Sequence, residues 1–284
     1  IEEEDLIAGR LDFLPIGFGT VTSVGGVGHY CVFKKLNAFR EQLLNPEDRK
    51  RVDGLYAYWL DHDLKTQFNR EVLTENTLGM FIDTEYPMIA TARLSGMMLD
   101  YPKLLEKGIG GLKADLQEGL KREPENTFYR AGIECLQLFA DCARHLGHDA
   151  LRQMVTAGPD RKRELKRICE GLAHIEEKKP ETFHQAMQLC WLFALLAGVI
   201  NYGRLDDYLG PYLAADLAAG RLTEAEAYRY VRSLWWLIEN RRTTVNGRII
   251  VGGKGRKHPR EADLFLHIAL KVAKECRYVE PQFT

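Results

Sequence analysis

The pattern of apolar and polar positions predicts a chain built mainly from long helices. Between residues 125 and 146, apolar side chains recur every three or four positions, which is typical of one helix face. From residue 183 to 200 the chain is apolar on every side, which predicts a helix that is buried all round. Other helices are predicted at 35–75, 100–107, 112–122, 160–177, from the capping box at 223–226 onwards, and at 260–276.

Strand patterns are fewer. Residues 245–251 alternate and are rich in β-branched side chains, and two glycines end the run. Residues 278–284 and the short segment 5–9 are also predicted to be strands. Strands beside long helices indicate an α/β fold rich in helix, part of a large barrel with helices outside. No repeat of about 33–47 residues is visible, which argues against a helical solenoid.

Composition narrows the class of protein. The chain has 284 residues with 45% hydrophobic and 28% charged side chains and a net charge of −1. These values favour a soluble globular protein and offer no basic field for nucleic acid. The longest apolar run, 189–200, is shorter than the roughly 20 residues that span a bilayer, and no signal peptide is visible. Six cysteines without a C-x-x-C pair predict reduced thiols and a cytoplasmic location.

A polar cluster follows directly after the apolar helix. It comprises Asn201, Arg204, Asp206 and Asp207. Buried polar groups need hydrogen bonds, because an unpaired one costs about 1–3 kcal/mol. Arg204 and Asp206 are therefore predicted to form a structural bridge, and Asp207 to lie at a helix N-terminus. Asn201 is either a pocket wall or a helix cap.

Three rival chemistries are weaker. The glycines of 25–28 suggest a phosphate loop but lack the Lys-Ser/Thr of a P-loop. His145 and His148 share a helix face without further metal ligands nearby. The pair Asp206-Asp207 invites a magnesium-diphosphate site of an isoprenoid synthase, but no third aspartate follows at helical spacing. A non-catalytic helical interaction module is the other alternative.

Several motifs occur in one consistent order along nearly the whole chain. They are D-L-I-A-G at 5–9, D-Y-P-K-L-L-E-K-G at 100–108, K-P-E-T-F-H-Q-A-M-Q-L-C-W at 179–191, N-Y-G-R-L-D-D-Y-L at 201–209, D-L-A-A-G-R-L-T at 216–223 and V-G-G at 251–253. Together they resemble the glycyl radical enzymes of the pyruvate formate-lyase family, whose members show a P-x-T-F-x-E-A-L-Q helix followed by S-x-G-R-x-D-Q-Y-L.

The resemblance implies a fold and a chemistry. The family folds as a ten-stranded α/β barrel of two five-stranded halves. A backbone glycyl radical passes its spin to a cysteine at the barrel centre, and the thiyl radical abstracts hydrogen from a small substrate. Members cleave C–C bonds, eliminate water or amines, or decarboxylate. An activating enzyme with an iron–sulfur cluster and S-adenosylmethionine installs the radical, and homodimers are common in the family.

The resemblance also implies which positions differ from familiar members. Asn201 stands where dehydratases of the family have Ser. In the family this position faces the substrate, so a hydroxyl or carboxylate ligand is expected there. Ser95-Gly96 stands where dehydratases show Gly-His, which argues against a simple diol dehydratase. Nearby Arg93 is a candidate carboxylate binder, and Met97 a candidate pocket-lining residue. Gly96 itself is expected to approach the same cavity as Asn201.

Both reactive residues of the family, the thiyl cysteine and the radical glycine, are expected beyond Thr284. Residues 1–284 are thus expected to be one pyruvate formate-lyase-like domain cut at both ends, with no metal site and no catalytic residue of its own. We expect this piece alone to be inactive. The alternative is a decayed, non-enzymatic relative of the family.

Overall fold

The computed structural model describes residues 1–10, 33–62, 70–75, 98–197, 199, 201–241 and 247–284. The chain divides into two compact units. The larger unit contains Ile1–Arg10, Met98–Arg241 and Asn246–Thr284, and the smaller contains Leu11–Met97 and Arg242–Val245. Each is described by itself.

In the smaller unit, two helices pack on each other. Helix α1 spans Phe33–Gln42 and α2 spans Pro46–His62. The helical stretch predicted at 35–75 is divided at residues 43–45. The Asn45 side chain accepts a hydrogen bond from the Glu47 amide at 3.0 Å, and Pro46 occupies the first turn of α2. The buried residues of this pair are Leu36 and Val52.

Seven helices lie in the described residues of the larger unit. They are α3 (Tyr101–Arg122), α4 (Thr127–Gln153), α5 (Pro159–Ile175), α6 (Phe183–Leu196), α7 (Leu205–Ala218), α8 (Glu224–Asn240) and α9 (Pro259–Cys276). Helix α6 is the centre of the core: every residue from Phe183 to Leu195 except Gln185 is buried, as its all-round apolar pattern predicts. The capping box at Thr223 and Glu226 is also confirmed at the start of α8.

Helix α3 joins two helices that the sequence predicts separately. Asp100 is its N-cap, and the Asp100 side chain accepts a hydrogen bond from the Lys103 amide at 3.1 Å. Gly108 interrupts the helix with φ +64°, a conformation that favours glycine. A side chain there would meet the Lys179 backbone, so the predicted break is a kink at a close backbone approach.

Three short strands form a parallel sheet in the order β1-β2-β3. They are β1 (Asn201–Gly203), β2 (Arg248–Ile249) and β3 (Gln282–Phe283). Helices α7 and α8 connect β1 to β2, and α9 connects β2 to β3, as parallel pairing requires. The fold is therefore helix-rich α/β as predicted, but the described residues contain three strands and not a ten-stranded barrel.

Both strands predicted near the end of the chain are shorter than expected. Of the run 245–251, only Arg248–Ile249 pairs as a strand, and residues 242–246 lie outside the described part. Of the run 278–284, only Gln282–Phe283 is a strand. Backbone hydrogen bonds continue past β2, because the Ile250 amide donates to the Gly203 carbonyl at 2.8 Å and the Val251 amide donates to the Thr284 carbonyl at 3.1 Å. The Gly252 amide then donates to the Asp206 carboxylate, and Gly252 and Gly253 turn the chain with positive φ angles.

The strand predicted at residues 5–9 is wrong. This segment bends at Leu6 and Ile7, and buried side chains of α6 and α8 bind its backbone in place of a partner strand. Gln188 accepts from the Ala8 amide at 2.7 Å and donates to the Ala8 carbonyl at 2.9 Å. The Ser233 hydroxyl accepts from the Leu6 amide at 2.9 Å. The side chains thus satisfy buried backbone groups that would otherwise need a ladder.

Candidate functional site

Asp206 fastens the turn between β1 and α7. Its side chain is fully buried and accepts two backbone hydrogen bonds. One comes from the Asp207 amide at 2.9 Å, and the other comes from the Gly252 amide at 2.7 Å. The position in the first turn of α7 adds a favourable interaction with the helix dipole. The carboxylate therefore ties the end of β1 to the loop that follows β2.

Arg204 makes the same connection from the other side of the turn. Its guanidinium donates to the Gly252 carbonyl and, at 3.4 Å, to the Lys254 carbonyl. It also lies 3.6 Å from the Asp206 carboxylate. The structure thus brings these two residues together around one loop, where they act on backbone and hold it in place.

Asn201 begins β1 and is half-buried. Its side-chain oxygen accepts from the Gly203 amide at 3.1 Å. On one side it pairs with Arg248 of β2, and on the other it forms a parallel bridge with Met98. Gly203 has φ +58°, and a side chain there would overlap the Met98 sulfur.

The remaining predicted binding residues cannot be placed beside it. Arg93, Gly96 and Met97 lie outside the described residues. The described chain resumes at Met98, the residue after Met97, and that residue bridges to Asn201.

One face of the sheet packs against helices. We call it the helix face and define it by Tyr202, Ile249 and Phe283. The Tyr202 ring stacks on Trp191 of α6 with centroids 6.3 Å apart, and Phe283 meets Trp235 of α8 edge-on at 6.0 Å. Ile249 is fully buried. This face belongs to the hydrophobic core.

The opposite face carries a polar row. We call it the open face and define it by Asn201, Arg248 and Gln282. These three residues are opposite one another in the strand register. Arg248 and Gln282 are exposed and Asn201 is half-buried. Because side chains alternate between faces along a strand, Arg248 and Gln282 lie on the side away from the helix face. The register of β1 against β2 is irregular between Asn201 and Gly203, and Asn201 joins the row through its pairing with Arg248.

Arg241 supports β1 from the helix side. It is 6% exposed, at the end of α8. Its Nη1 atom donates to the Val199 carbonyl at 2.6 Å and to the Tyr202 hydroxyl at 2.9 Å. Its guanidinium carbon lies 5.9 Å from the Trp191 ring centroid, within cation–π range. The arginine thus anchors both the approach to β1 and its central residue.

Three phenols and a thiol behind β1 are held neutral by burial. Burial raises the pKa of the Tyr101, Tyr202 and Tyr208 phenols. Burial also raises the pKa of the Cys190 thiol within α6. The Tyr208 hydroxyl donates to the Tyr202 carbonyl, and its ring stacks on Tyr101 at 5.0 Å. A buried thiol with a raised pKa is a core residue and not a nucleophile.

Two of the rival site chemistries, the diphosphate site and the metal site, find no support in the described geometry, and the glycines of 25–28 lie outside the described residues. Asp206 is taken by two amides and Arg204, and Asp207 accepts from the His258 amide at 3.0 Å. Their carboxylates therefore hold backbone and are not gathered around a diphosphate site. In the part of the chain that the structure describes, no three His, Cys, Asp or Glu side chains are grouped to hold a metal ion. Nor does any helix in that part have the length and apolarity to cross a membrane.

Sequence reasoning missed Arg241, Arg248 and Gln282. A basic residue directly after the apolar last turns of an amphipathic helix was a usable signal for Arg241. A lone arginine within the alternating run 245–251 was a signal for Arg248. No local pattern indicates Gln282, because its place depends on strand register across a long connection.

The fold and the site together define a helix-rich α/β scaffold with a polar sheet face. Residues 1–284 match the family model described as "Pyruvate formate lyase-like". The chain therefore belongs to the pyruvate formate-lyase-like family of glycyl radical enzymes.

Curated relatives match over part of the chain. An isethionate sulfite-lyase of Bilophila wadsworthia is 29% identical over 222 residues, which cover 68% of this chain and 26% of the relative. A (2S)-3-sulfopropanediol dehydratase of Klebsiella oxytoca is 27% identical over 207 residues, covering 66% and 25%. An isethionate sulfite-lyase of Nitratidesulfovibrio vulgaris is 29% identical over 153 residues, covering 48% and 18%. The matches thus span about a quarter or less of these relatives' length.

Solved structures share the fold over the whole chain. A glycyl radical enzyme from Archaeoglobus fulgidus superposes with a TM-score of 0.72 at 19% identity, covering 100% of this chain and 40% of that one. The B12-independent glycerol dehydratase from Clostridium butyricum gives 0.71 at 17% identity, also covering 100% and 40%.

Proposed function

We propose that this chain is part of a glycyl radical lyase that acts on a small oxygenated substrate. The observation that carries the proposal is the match of residues 1–284 to the family. In this proposal a thiyl radical abstracts hydrogen, and the substrate then loses a neighbouring group. The family resemblance implies C–C cleavage, dehydration or decarboxylation as the reaction. The names of the relatives, a sulfite-lyase and a dehydratase, favour C–S or C–O cleavage over the acyl transfer of formate acetyltransferase.

In this proposal the thiyl cysteine and the radical glycine would lie outside residues 1–284. Among the described cysteines, Cys190 is buried in α6, and burial raises the pKa of Cys142 and Cys169. Cys135 and Cys276 lie on the helices α4 and α9. None of these five belongs to the open face. The chain would supply part of a ten-stranded barrel and one wall of its pocket, and would be inactive alone.

We propose the open face as that wall. Asn201 is the residue of the row that the family resemblance places towards the substrate, and Arg93, Gly96 and Met97 remain proposed partners in binding. Arg204 and Asp206 would keep Asn201 in place through the loop at Gly252. Shielding by a closed barrel would protect the radical from water.

Other parts of the proposal follow the family. The organic radical would be installed by an activating enzyme that uses an iron–sulfur cluster and S-adenosylmethionine. A homodimer and a cytoplasmic location belong to the same proposal. The free cysteines of the described residues fit a reducing compartment.

The test is anaerobic electron paramagnetic resonance on the full-length protein that carries this chain. The protein is incubated with the activating enzyme, a reductant and S-adenosylmethionine. We expect an organic radical doublet that is absent when S-adenosylmethionine is omitted. A full-length protein that never develops this signal would contradict the proposal and favour a non-catalytic relative of the family.

A further inference from the structure

The open face carries the positive charge of Arg248, which takes no part in the hydrogen bonds around Asp206. Arg248 stands in the middle of the row, with an amide side chain on either side. Several acids of the larger unit have partners elsewhere: Asp206 binds Arg204 and backbone amides, Glu239 accepts from the Glu280 amide, and Asp263 pairs with Arg256. Among the described residues, no carboxylate forms an ion pair with Arg248. The row therefore carries one net positive charge.

Its position makes Arg248 more than a solvated surface residue. The residues before and after it in β2, Gly247 and Ile249, are buried. A side chain added at Gly247 would collide with Ile238 of α8. Strand alternation thus forces Arg248 to the side away from the helices, where Asn201 is also found.

The row also sets the size of what it can bind. Neighbouring strands lie about 4.8 Å apart, so Asn201 and Gln282 are separated by about 10 Å with Arg248 between them. A molecule of two to four carbons can reach from Arg248 to Asn201. An arginine binds carboxylate and sulfonate through a planar pair of donors, and an asparagine can bind a hydroxyl.

The geometry points to Arg248 as the residue that binds an anionic group of the substrate, with Gln282 beside it and Asn201 facing a hydroxyl. The substrate class is a small hydroxylated organic acid, either a carboxylate or a sulfonate. This inference rests on the proposed function, since it takes the open face as a wall of the reaction site. It assigns the anion to a different residue from Arg93.

The test measures binding to the full-length protein before activation, so that no radical is needed. Three ligands of matched size serve as probes: 3-hydroxypropionate, 2-hydroxyethanesulfonate and the neutral 1,3-propanediol. Titration calorimetry compares the native protein with Arg248→Gln, Arg248→Lys and the control Arg163→Gln. Arg163 is 75% exposed on α5 and undergoes the same change of charge.

We expect Arg248→Gln to raise the Kd of the preferred anion by about 10- to 100-fold, since a charged hydrogen bond is lost. The Kd of the diol should change by less than about twofold, and Arg163→Gln should leave every Kd unchanged. Arg248→Lys keeps the charge and should lose less affinity than Arg248→Gln. Comparing the two anions shows whether carboxylate or sulfonate is the matching group.

Three results would overturn the inference. They are an anion Kd that is unchanged in Arg248→Gln, an equal loss of diol and anion affinity, and a native protein that binds neither anion at about 10 mM. Circular dichroism melting of each variant separates a folding defect from a binding defect, and Arg248→Lys supplies a second charged variant. A positive radical signal with unchanged binding rejects only this inference. Selective binding without a radical rejects only the proposed chemistry.

Discussion

The two faces of the small parallel sheet differ in what they can tolerate. The helix face, Tyr202, Ile249 and Phe283, is packed against the tryptophans of α6 and α8. The open face, Asn201, Arg248 and Gln282, carries hydrogen-bond donors and a cation. Successive residues of the same strand therefore serve the core and the candidate site in turn.

The comparison teaches how a very short sheet can hold a site. Two or three residues per strand give little ladder stability. Groups outside the polar row keep it in register. Asp206 and Arg204 bind the backbone of the loop after β2, and Arg241 binds the chain behind β1. Stability and binding should therefore separate by face.

The largest expected effect comes from breaking the fastening that keeps the two faces aligned. Asp206→Ala removes a buried carboxylate with two amide donors and leaves Arg204 without its acid. We expect a loss of about 3–5 kcal/mol in the free energy of unfolding, measured by urea denaturation. Asp206→Asn keeps the shape and one acceptor and should cost less. Equal stability of Asp206→Ala and the native protein would refute the structural role.

The next effect compares the faces directly within β2. Ile249→Ala empties a fully buried position and should cost about 2–5 kcal/mol of unfolding free energy. Arg248→Ala removes an exposed side chain and should change stability by about 0.5 kcal/mol or less. Urea midpoints of the two variants give the comparison. If Arg248→Ala proved the more destabilising of the two, the assignment of the faces would be wrong.

A third effect tests whether His184, buried in α6, is neutral in the folded protein. Burial lowers the pKa of His184 to about 4, while its Nε2–H donates to the Leu6 carbonyl at 2.9 Å. The unfolded chain binds this proton first, near pH 6.5. The stability contribution is therefore complete above pH 6.5 and is lost as the pH falls towards 4, with a slope of at most about 1.4 kcal/mol per pH unit.

The His184→Gln variant provides the measurement. Glutamine can still donate to the Leu6 carbonyl but has no proton to bind, so the unfolding free energy should fall less steeply between pH 6.5 and 4. The exposed His267→Gln serves as the control and should keep the native slope. An unaltered slope in His184→Gln would show that this histidine is not held neutral.

The smallest effect concerns the edge of the open face. Gly203→Ala places a side chain at φ +58°, against Met98, and should cost about 1–2 kcal/mol. Adding Met98→Ala relieves the overlap but not the backbone strain, so the double variant should recover part of the loss. A double-mutant cycle from melting curves measures the coupling. Strictly additive effects would mean that Met98 does not pack over Gly203.

Local signals in the sequence were sufficient for most helices. Asp100, Pro159 and Thr223 mark the starts of three helices. The helices of the structure begin within one or two residues of these positions, because capping depends only on nearby atoms. The segment 5–9 was predicted wrongly for the opposite reason. Its apolar residues are compatible with a strand, and the groups that bind its backbone, Gln188 and Ser233, are more than 150 residues away.

The site was predictable only in part. The polar cluster after α6 and the proximity of Arg204 and Asp206 could be inferred, since buried charges in a turn need partners. The alignment of Asn201 with Arg248 and Gln282 could not. Parallel strands joined through helices carry no turn that fixes their register, so only the folded chain shows which residues stand side by side.

The central claim is that the open face is the ligand face of a radical enzyme. A crystal structure of the full-length protein with 3-hydroxypropionate tests it most directly. The account predicts the carboxylate within about 3 Å of the Arg248 guanidinium and the hydroxyl near Asn201. A ligand bound elsewhere, with Arg248 and Asn201 covered by protein, would contradict it.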